Sequence, residues 1–175
     1  MIAILGPRYT YSDFASQKIQ LPMKRRYCRS IGAVFRSLQK GTARFGFVPF
    51  SNSYTGEIPD TKKYLKTGKF IVLKKVTYPV QHCLAVKSDQ CAFKKIVSHE
   101  QAFFQCAKFL KKNFQKIPLL PVFSTAGALR MAKKDANIAA IGSPKTADLM
   151  GLKILARAIQ DKKNNKTTFV FIKRK

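Results

Sequence analysis

The chain has 175 residues, 34 Lys plus Arg against 8 Asp plus Glu, and a formal net charge of +26. That length suits one or two small α/β domains with a buried core, and 46% hydrophobic residues exclude intrinsic disorder despite the charge. The basic pairs are spread, from Lys24–Arg26 through Lys62–Lys63 and Lys111–Lys112 to Arg174–Lys175, so no arm or tail carries the excess. It reads as solvated surface, as a diffuse field for small anions, or as a nucleic-acid footprint.

Among Cys28, Cys83, Cys91 and Cys106 no pair has C-x-x-C spacing, and His82 and His99 form no His-x-x-x-His arrangement. Free thiols in a reducing compartment and no metal site are expected. No apolar run reaches the length of a membrane span. Pro7 and Arg8 follow the first apolar stretch at once, which argues against a signal peptide. The expectation is a cytoplasmic protein without membrane contact.

In chain order, Ile2 to Leu5 reads as a short buried strand, and Ser12 as the cap of a helix to about Gln20. Tyr27 and Cys28 fall in a weak strand. Ser30 caps a helix with Ile31, Val34, Phe35 and Leu38 at helical spacing, stopped by Gly41. Phe45 to Pro49 is a strand running into a polar loop, Ser51-Asn52-Ser53, and Lys62 to Lys66 is a helical turn or two. Phe70 to Val76 and Gln81 to Val86 are strands, and Lys95 to Val97 leads into a long helix, about His99 to Lys112. Ser124 caps a helix to about Lys133; Ile138 to Ile141 is a strand; Ser143-Pro144 opens a helix ended by Gly151. Leu152 to Ala158 and Phe169 to Ile172 are the last strands.

Strand–helix alternation predicts an α/β fold with parallel sheets and helical crossovers, whose ligands sit at the carboxyl ends of strands. Ser12, Ser98, Ser124 and Ser143 each stand at a predicted helix start, where free N–H groups can cap locally or bind an anion. Ser98-x-x-Gln101 is a capping box in its own right. Gln105 lies on the polar face of its helix, either as solvated surface or as the wall of a cleft.

Gly6-Pro7-Arg8-Tyr9-Thr10-Tyr11-Ser12 is similar to the Gly-Pro-x-Gly-Thr-Phe/Tyr-Ser that opens the prephenate dehydratase family. Val48-Pro49-Phe50-Ser51-Asn52-Ser53 with Gly56 resembles its Val-Pro-x-Glu-Asn-Ser-x-x-Gly. His82-Cys83-Leu84, Ser98-His99-Glu100-Gln101 with Gln105-Cys106, and Ser124-Thr125-Ala126 continue the match. Ala139-Ala140-Ile141 with Gly151-Leu152, Ile159-Gln160-Asp161 and Asn165-Lys166-Thr167-Thr168-Phe169 complete it, in family order from end to end.

The resemblance implies two α/β subdomains flanking a cleft, like a type 2 periplasmic binding protein. The first would hold residues 1–77 plus 159–175 and the second 78–158, with no regulatory ACT domain. It implies conversion of prephenate to phenylpyruvate with loss of water and carbon dioxide in phenylalanine biosynthesis, or the same reaction on arogenate. The aromatic product supplies the driving force, so no cofactor and no metal are called for. By resemblance Thr167 donates to the departing oxygen while Asn52, Ser98 and Gln105 orient the substrate. Thr10, Ser12, Ser53, Thr125, Thr168 and Phe169 are candidate substrate contacts, and a homodimer is the family's usual state.

Several motif positions depart from the family. Ser51 replaces its glutamate and Thr168 its arginine; Tyr9 replaces a glycine, Glu100 a proline, and Arg130 an acidic residue. An arginine offers planar paired donors to a carboxylate, and a threonine does not. Two other functions fit the same residues: a homologue that binds an anion or a protein partner without turnover, and a basic nucleic-acid- or ribosome-associated protein on this fold.

Overall fold

The computed structural model describes residues 1–87 and 92–175. The chain divides into two compact units, residues 1–79 with 166–175, and residues 80–165. The first begins with β1 (Ile2–Leu5), α1 (Tyr11–Ser16), β2 (Arg25–Cys28), α2 (Ile31–Gln39), β3 (Phe45–Asn52), β4 (Gly56–Glu57), α3 (Pro59–Lys66) and β5 (Phe70–Pro79). The second has β6 (Cys83–Val86), β7 (Lys95–Ser98), α4 (Glu100–Gln105), α5 (Ala107–Asn113), β8 (Leu119–Pro121), α6 (Thr125–Lys134), β9 (Ile138–Gly142), α7 (Pro144–Leu149) and β10 (Lys153–Ala156). The last strand, β11 (Lys166–Arg174), returns to the first unit.

The α/β class is as expected, but the sheets are mixed rather than parallel. In the first unit the order is β2-β1-β3-β11-β5, with β4 on β3. β1 runs parallel to β2 and β3, while β11 inserts antiparallel between β3 and β5. In the second the order is β10-β6-β9-β7-β8, with β6 antiparallel to both its neighbours. Alternation along the chain reports consecutive crossovers only; a strand arriving from the far end of the chain leaves no such mark.

In the first unit α2 lays Val34, Phe35 and Leu38 against Val48, Val170 and Ile172 on one face of the sheet. Phe35 is fully buried, stacked on Tyr64 at 4.4 Å and edge-on to Phe70 at 4.8 Å. The opposite face buries Ile2, Ile4, Phe47, Phe169 and Phe171 with Ala15 of α1. Both faces are covered, so β1, β3 and β11 read as near-continuous apolar runs. In the second unit Leu84, Ile96 and Ile141 pack with Ala102, Cys106 and Leu110. Each such large apolar side chain contributes roughly 1.5–3 kcal/mol on burial.

Several helix starts differ from expectation. Thr10, not Ser12, caps α1: its Oγ1 accepts from the Asp13 amide at 3.4 Å, and Ser12 is buried one position inside the helix. Ser98 ends β7 and the cap of α4 is His99, whose Nδ1 accepts from the Gln101 amide at 3.1 Å. Ser30 and Ser124 cap α2 and α6 through the Ala33 and Gly127 amides. Ser143 stands at the cap of α7 without a side-chain capping bond.

The long helix expected from His99 to Lys112 is two. It breaks at Cys106 (φ −116°, ψ 20°), where Asp161 from a distant segment enters. The Asp161 amide donates to the Gln105 carbonyl at 2.7 Å, and its carboxylate accepts from the Lys108 amide at 3.2 Å. Asp161 therefore caps α5 across the chain. This contact also draws residues 159–165 into the second unit, where the sequence reading put them in the first.

Cys28, Cys83 and Cys106 are free and buried, and Cys91 lies outside the described residues. Among the described residues no helix is long and apolar enough to cross a membrane.

Candidate active site

The site residues of the first unit gather where β3 meets β11. Register puts Asn52 opposite Thr167 and Ser51 opposite Thr168. β3 runs on through Ser51 and Asn52, which the sequence reading placed in a loop, and turns into β4 at Gly56, whose φ of +80° suits glycine. Asn52 is buried and spans the turn with both ends of its amide. Its Oδ1 accepts from the Tyr54 amide at 2.8 Å and the Thr55 amide at 3.2 Å, closing an Asx turn. Its Nδ2 donates to the Lys166 carbonyl at 3.1 Å and to Thr167 Oγ1 at 2.9 Å.

That last bond sets the chemistry of Thr167. A hydroxyl has one proton and two acceptor lone pairs. With Asn52 Nδ2 supplying a proton to the oxygen, the Thr167 O–H is turned to donate elsewhere. Thr167 is nearly buried, at 9% exposure, so a partner there meets it in a low-dielectric setting.

Ser53 ties the strands together: its amide donates to the Lys166 carbonyl at 2.9 Å and its Oγ accepts from the Lys166 amide at 2.9 Å. Phe169, expected as a substrate contact, is 2% exposed and stacked on Phe47 at 5.3 Å. Its role is packing, because it faces the core.

The departures at Ser51 and Thr168 are one change, since the two positions are cross-strand partners. A glutamate and an arginine there would face each other as an ion pair; here both are hydroxyl residues. Thr168 Oγ1 bonds Thr77 Oγ1 of β5 at 3.1 Å, extending the row of hydroxyls over three strands. Charge is lost in a balanced pair, and the position keeps hydrogen-bonding groups.

The opening motif forms a tight turn before α1. Tyr9 adopts φ +71°, the left-handed conformation that a glycine takes without strain. Asp13 in the first turn of α1 holds it, with Oδ2 accepting from the Tyr9 amide at 2.8 Å and Oδ1 from Tyr27 Oη at 2.9 Å. Burial, then the bond to Asp13, push the Tyr27 phenol up to about 12. The Arg8 guanidinium sits 4.8 Å over the Tyr9 ring. Thr10 Oγ1 also donates to the Leu5 carbonyl at 3.4 Å.

In the second unit Gln105 is buried, at 3% exposure, which resolves its two readings in favour of a built polar site. Its Oε1 accepts from Asn165 Nδ2 at 2.9 Å and bonds His82 Nε2 at 2.8 Å. An oxygen already fixed as acceptor requires His82 to carry its proton on Nε2. Burial lowers the His82 pKa, only partly offset by the bond to Gln105, so the ring stays neutral. The His82 amide donates to Gln160 Oε1 at 2.9 Å. Residues 159–165 thus close over Gln105 and fix its amide group.

Ser98 is fully buried and its Oγ donates to the Ile141 carbonyl at 2.8 Å, tying β7 to the next strand. Thr125 occupies the first position of α6, half-buried, beside the Ser124 cap. Burial pushes the Cys83 thiol up to about 12 and Cys106 higher still, so neither is a thiolate nucleophile at neutral pH. Among the described residues no group of three His, Cys, Asp or Glu could hold a metal ion.

The structure thus brings together Asn52, Ser53, Thr167 and Thr168 in the first unit. Gln105 forms a built polar cluster in the second. Sequence reasoning gave no role to His82, Asn165, Gln160, Asp161 or Thr77. All but Thr77 lie in or beside stretches that matched the family, and that was the signal available.

The prephenate dehydratase family model matches residues 2–175. A prephenate dehydratase of Methanocaldococcus jannaschii is 36% identical over 97% of this chain, which spans 63% of that relative's length. Among solved structures, a prephenate dehydratase from Arthrobacter aurescens in complex with L-Phe superposes at TM-score 0.83 and 23% identity, over 99% of this chain and 60% of that one. The quorum-quenching acylase GqqA superposes at TM-score 0.80 and 25% identity, over 99% and 64%. An extracellular amino-acid ABC transporter binding protein of Bacillus subtilis, at TM-score 0.55 and 11% identity over 99% and 82%, shares the fold alone. The two-unit α/β architecture is therefore of the periplasmic-binding-protein kind.

Proposed function

Since the chain belongs to the prephenate dehydratase family, we propose that it catalyses the decarboxylative dehydration of prephenate to phenylpyruvate. The reaction breaks the C4–O bond and a C–C bond to carbon dioxide and leaves an aromatic ring. It needs a proton donor at the leaving oxygen and fixed hydrogen bonds to the substrate's carboxylates.

The bond from Asn52 Nδ2 to Thr167 Oγ1 carries this reading. It turns a weak acid into a positioned donor, with the Thr167 proton aimed at the departing hydroxide. By the family's pattern Gln105 also orients the substrate, whereas Ser98, fully buried with its proton committed to the Ile141 carbonyl, braces β7 instead of touching substrate. The amide of Gln105 keeps its –NH2 for an acceptor, because Oε1 is taken by His82 and Asn165. Thr10, Thr125 and Thr168 are further substrate contacts, by the family's pattern. No residue here requires a cofactor.

The test is phenylpyruvate formation by the purified chain. Thr167→Ala should lower kcat by at least about 100-fold, the usual worth of a positioned acid, with a melting temperature lowered by only about 2–4 °C for the one lost bond, and Thr167→Ser should restore much of both. A folded wild-type chain without turnover would favour an anion-binding homologue, the reading that the exchange at Ser51 and Thr168 supports.

A further inference from the structure

We propose that the first unit carries a groove for the phosphodiester backbone of single-stranded nucleic acid, separate from Asn52 and Thr167. An open cavity of about 560 Å³ is lined by Arg26, Arg29, Arg36 and Lys40, with Tyr27 and Ser30 among them. All four cations are exposed. Among the described residues no carboxylate is paired with any of them. Arg26 comes from the edge strand β2, Arg29 from the loop after it, Arg36 from α2 and Lys40 from its end. Residues scattered over fifteen positions of sequence are gathered by the β2–α2 turn into one basic wall.

The surrounding sequence has the same bias. From Phe14 to Gly56 there are eight Lys and Arg (Lys18, Lys24, Arg25, Arg26, Arg29, Arg36, Lys40, Arg44) and no Asp or Glu. Ser30, Ala33, Ser37 and Thr42 complete the lining, so the groove runs along the whole of α2. The Tyr27 ring turns to the other face of the sheet, where its Oη donates to Asp13, and leaves this wall to the cations. Cations from four positions along an open groove are what the backbone of an unpaired strand needs, successive phosphates on successive side chains. A single small anion would leave most of these charges uncompensated. The chain's +26 would raise the encounter rate.

The discriminating experiment separates this groove from diffuse charge. Binding of a fluorescent oligouridylate of about twelve nucleotides, within the site sizes such grooves span, is measured by anisotropy across salt. Wild type is compared with Arg26→Gln/Arg29→Gln/Arg36→Gln/Lys40→Gln and with a control of equal charge loss, Lys111→Gln/Lys112→Gln/Lys133→Gln/Lys134→Gln. Four phosphate contacts to a single strand give a slope of about 3 in log K against log salt, so wild type should lose about 50-fold more affinity than the groove variant between about 50 and 200 mM salt. The control should track wild type, and both variants should keep the wild-type circular dichroism and phenylpyruvate-forming rate. Equal loss in both variants, or no wild-type binding at low salt, overturns the groove. Pyrophosphate matching the oligonucleotide in affinity overturns the polymer reading.

Discussion

Asn52→Asp separates the donor role of Asn52 from its structural role. The two side chains have the same shape, so the Oδ1 acceptor for the Tyr54 and Thr55 amides survives, now as a charged acceptor. What is lost is Nδ2, with its bonds to Lys166 O and Thr167 Oγ1. The Lys166 contact becomes a repulsion between two oxygens, the Thr167 bond reverses direction, and burying a carboxylate costs more than the strengthened amide bonds return. The net, about 2 kcal/mol, lowers the melting temperature by about 4–8 °C in a chain of this size. The catalytic effect is larger. A carboxylate beside Thr167 Oγ1 accepts the hydroxyl's hydrogen bond, so the leaving oxygen loses its donor and kcat falls by about 100-fold or more at neutral pH. As pH drops, the introduced carboxyl protonates, donates to Oγ1 again, and kcat recovers. Asn52→Ala should show no such recovery. The assay is phenylpyruvate release over a pH series, with thermal melts alongside. Wild-type kcat for Asn52→Asp at neutral pH, or a loss without recovery on acidification, would refute the argument that Asn52 orients the Thr167 proton.

Two further outcomes follow from the second unit. His82 and His99 are both held below the ordinary 6.5 by burial. The unfolded chain therefore takes up protons first, so stability is full above about 6.5 and falls as pH drops toward the folded values; thermal melts of wild type should show this, and His82→Gln should flatten it. At Gly142, an added Cβ would lie 2.5 Å from Leu129 Cδ1 and 2.8 Å from its Cγ. Gly142→Ala should cost about 1–3 kcal/mol by overpacking, and Leu129→Ala, which opens space there, should be less than additive with it in denaturant titrations. Additive costs would mean that the strand shifts instead.

The α/β class and most element positions were legible from the chain alone, while a division into two subdomains was implied only by the family resemblance. Apolar runs, helical periodicity and capping residues are local signals, and Ile2–Leu5, Ser30 and Ser124 do what their neighbours dictate. Asn52, Thr167 and Gln105 were singled out by the family resemblance alone, since spacing left Gln105 as either surface or cleft wall. Only the tertiary structure decided what each touches. β11 pairs Thr167 with Asn52 and Thr168 with Ser51, because a strand register over more than a hundred residues is set by the sheet and not by spacing. Asp161 splits a helix that periodicity reads as continuous, since a carboxylate from elsewhere satisfies the amide at Lys108. Gln105 turns from a surface glutamine into a fixed one because residues 159–165 fold over it. The charge belongs to both levels: its total stands in the composition, while the gathering of Arg26, Arg29, Arg36 and Lys40 into one cavity exists only once β2 and α2 are packed.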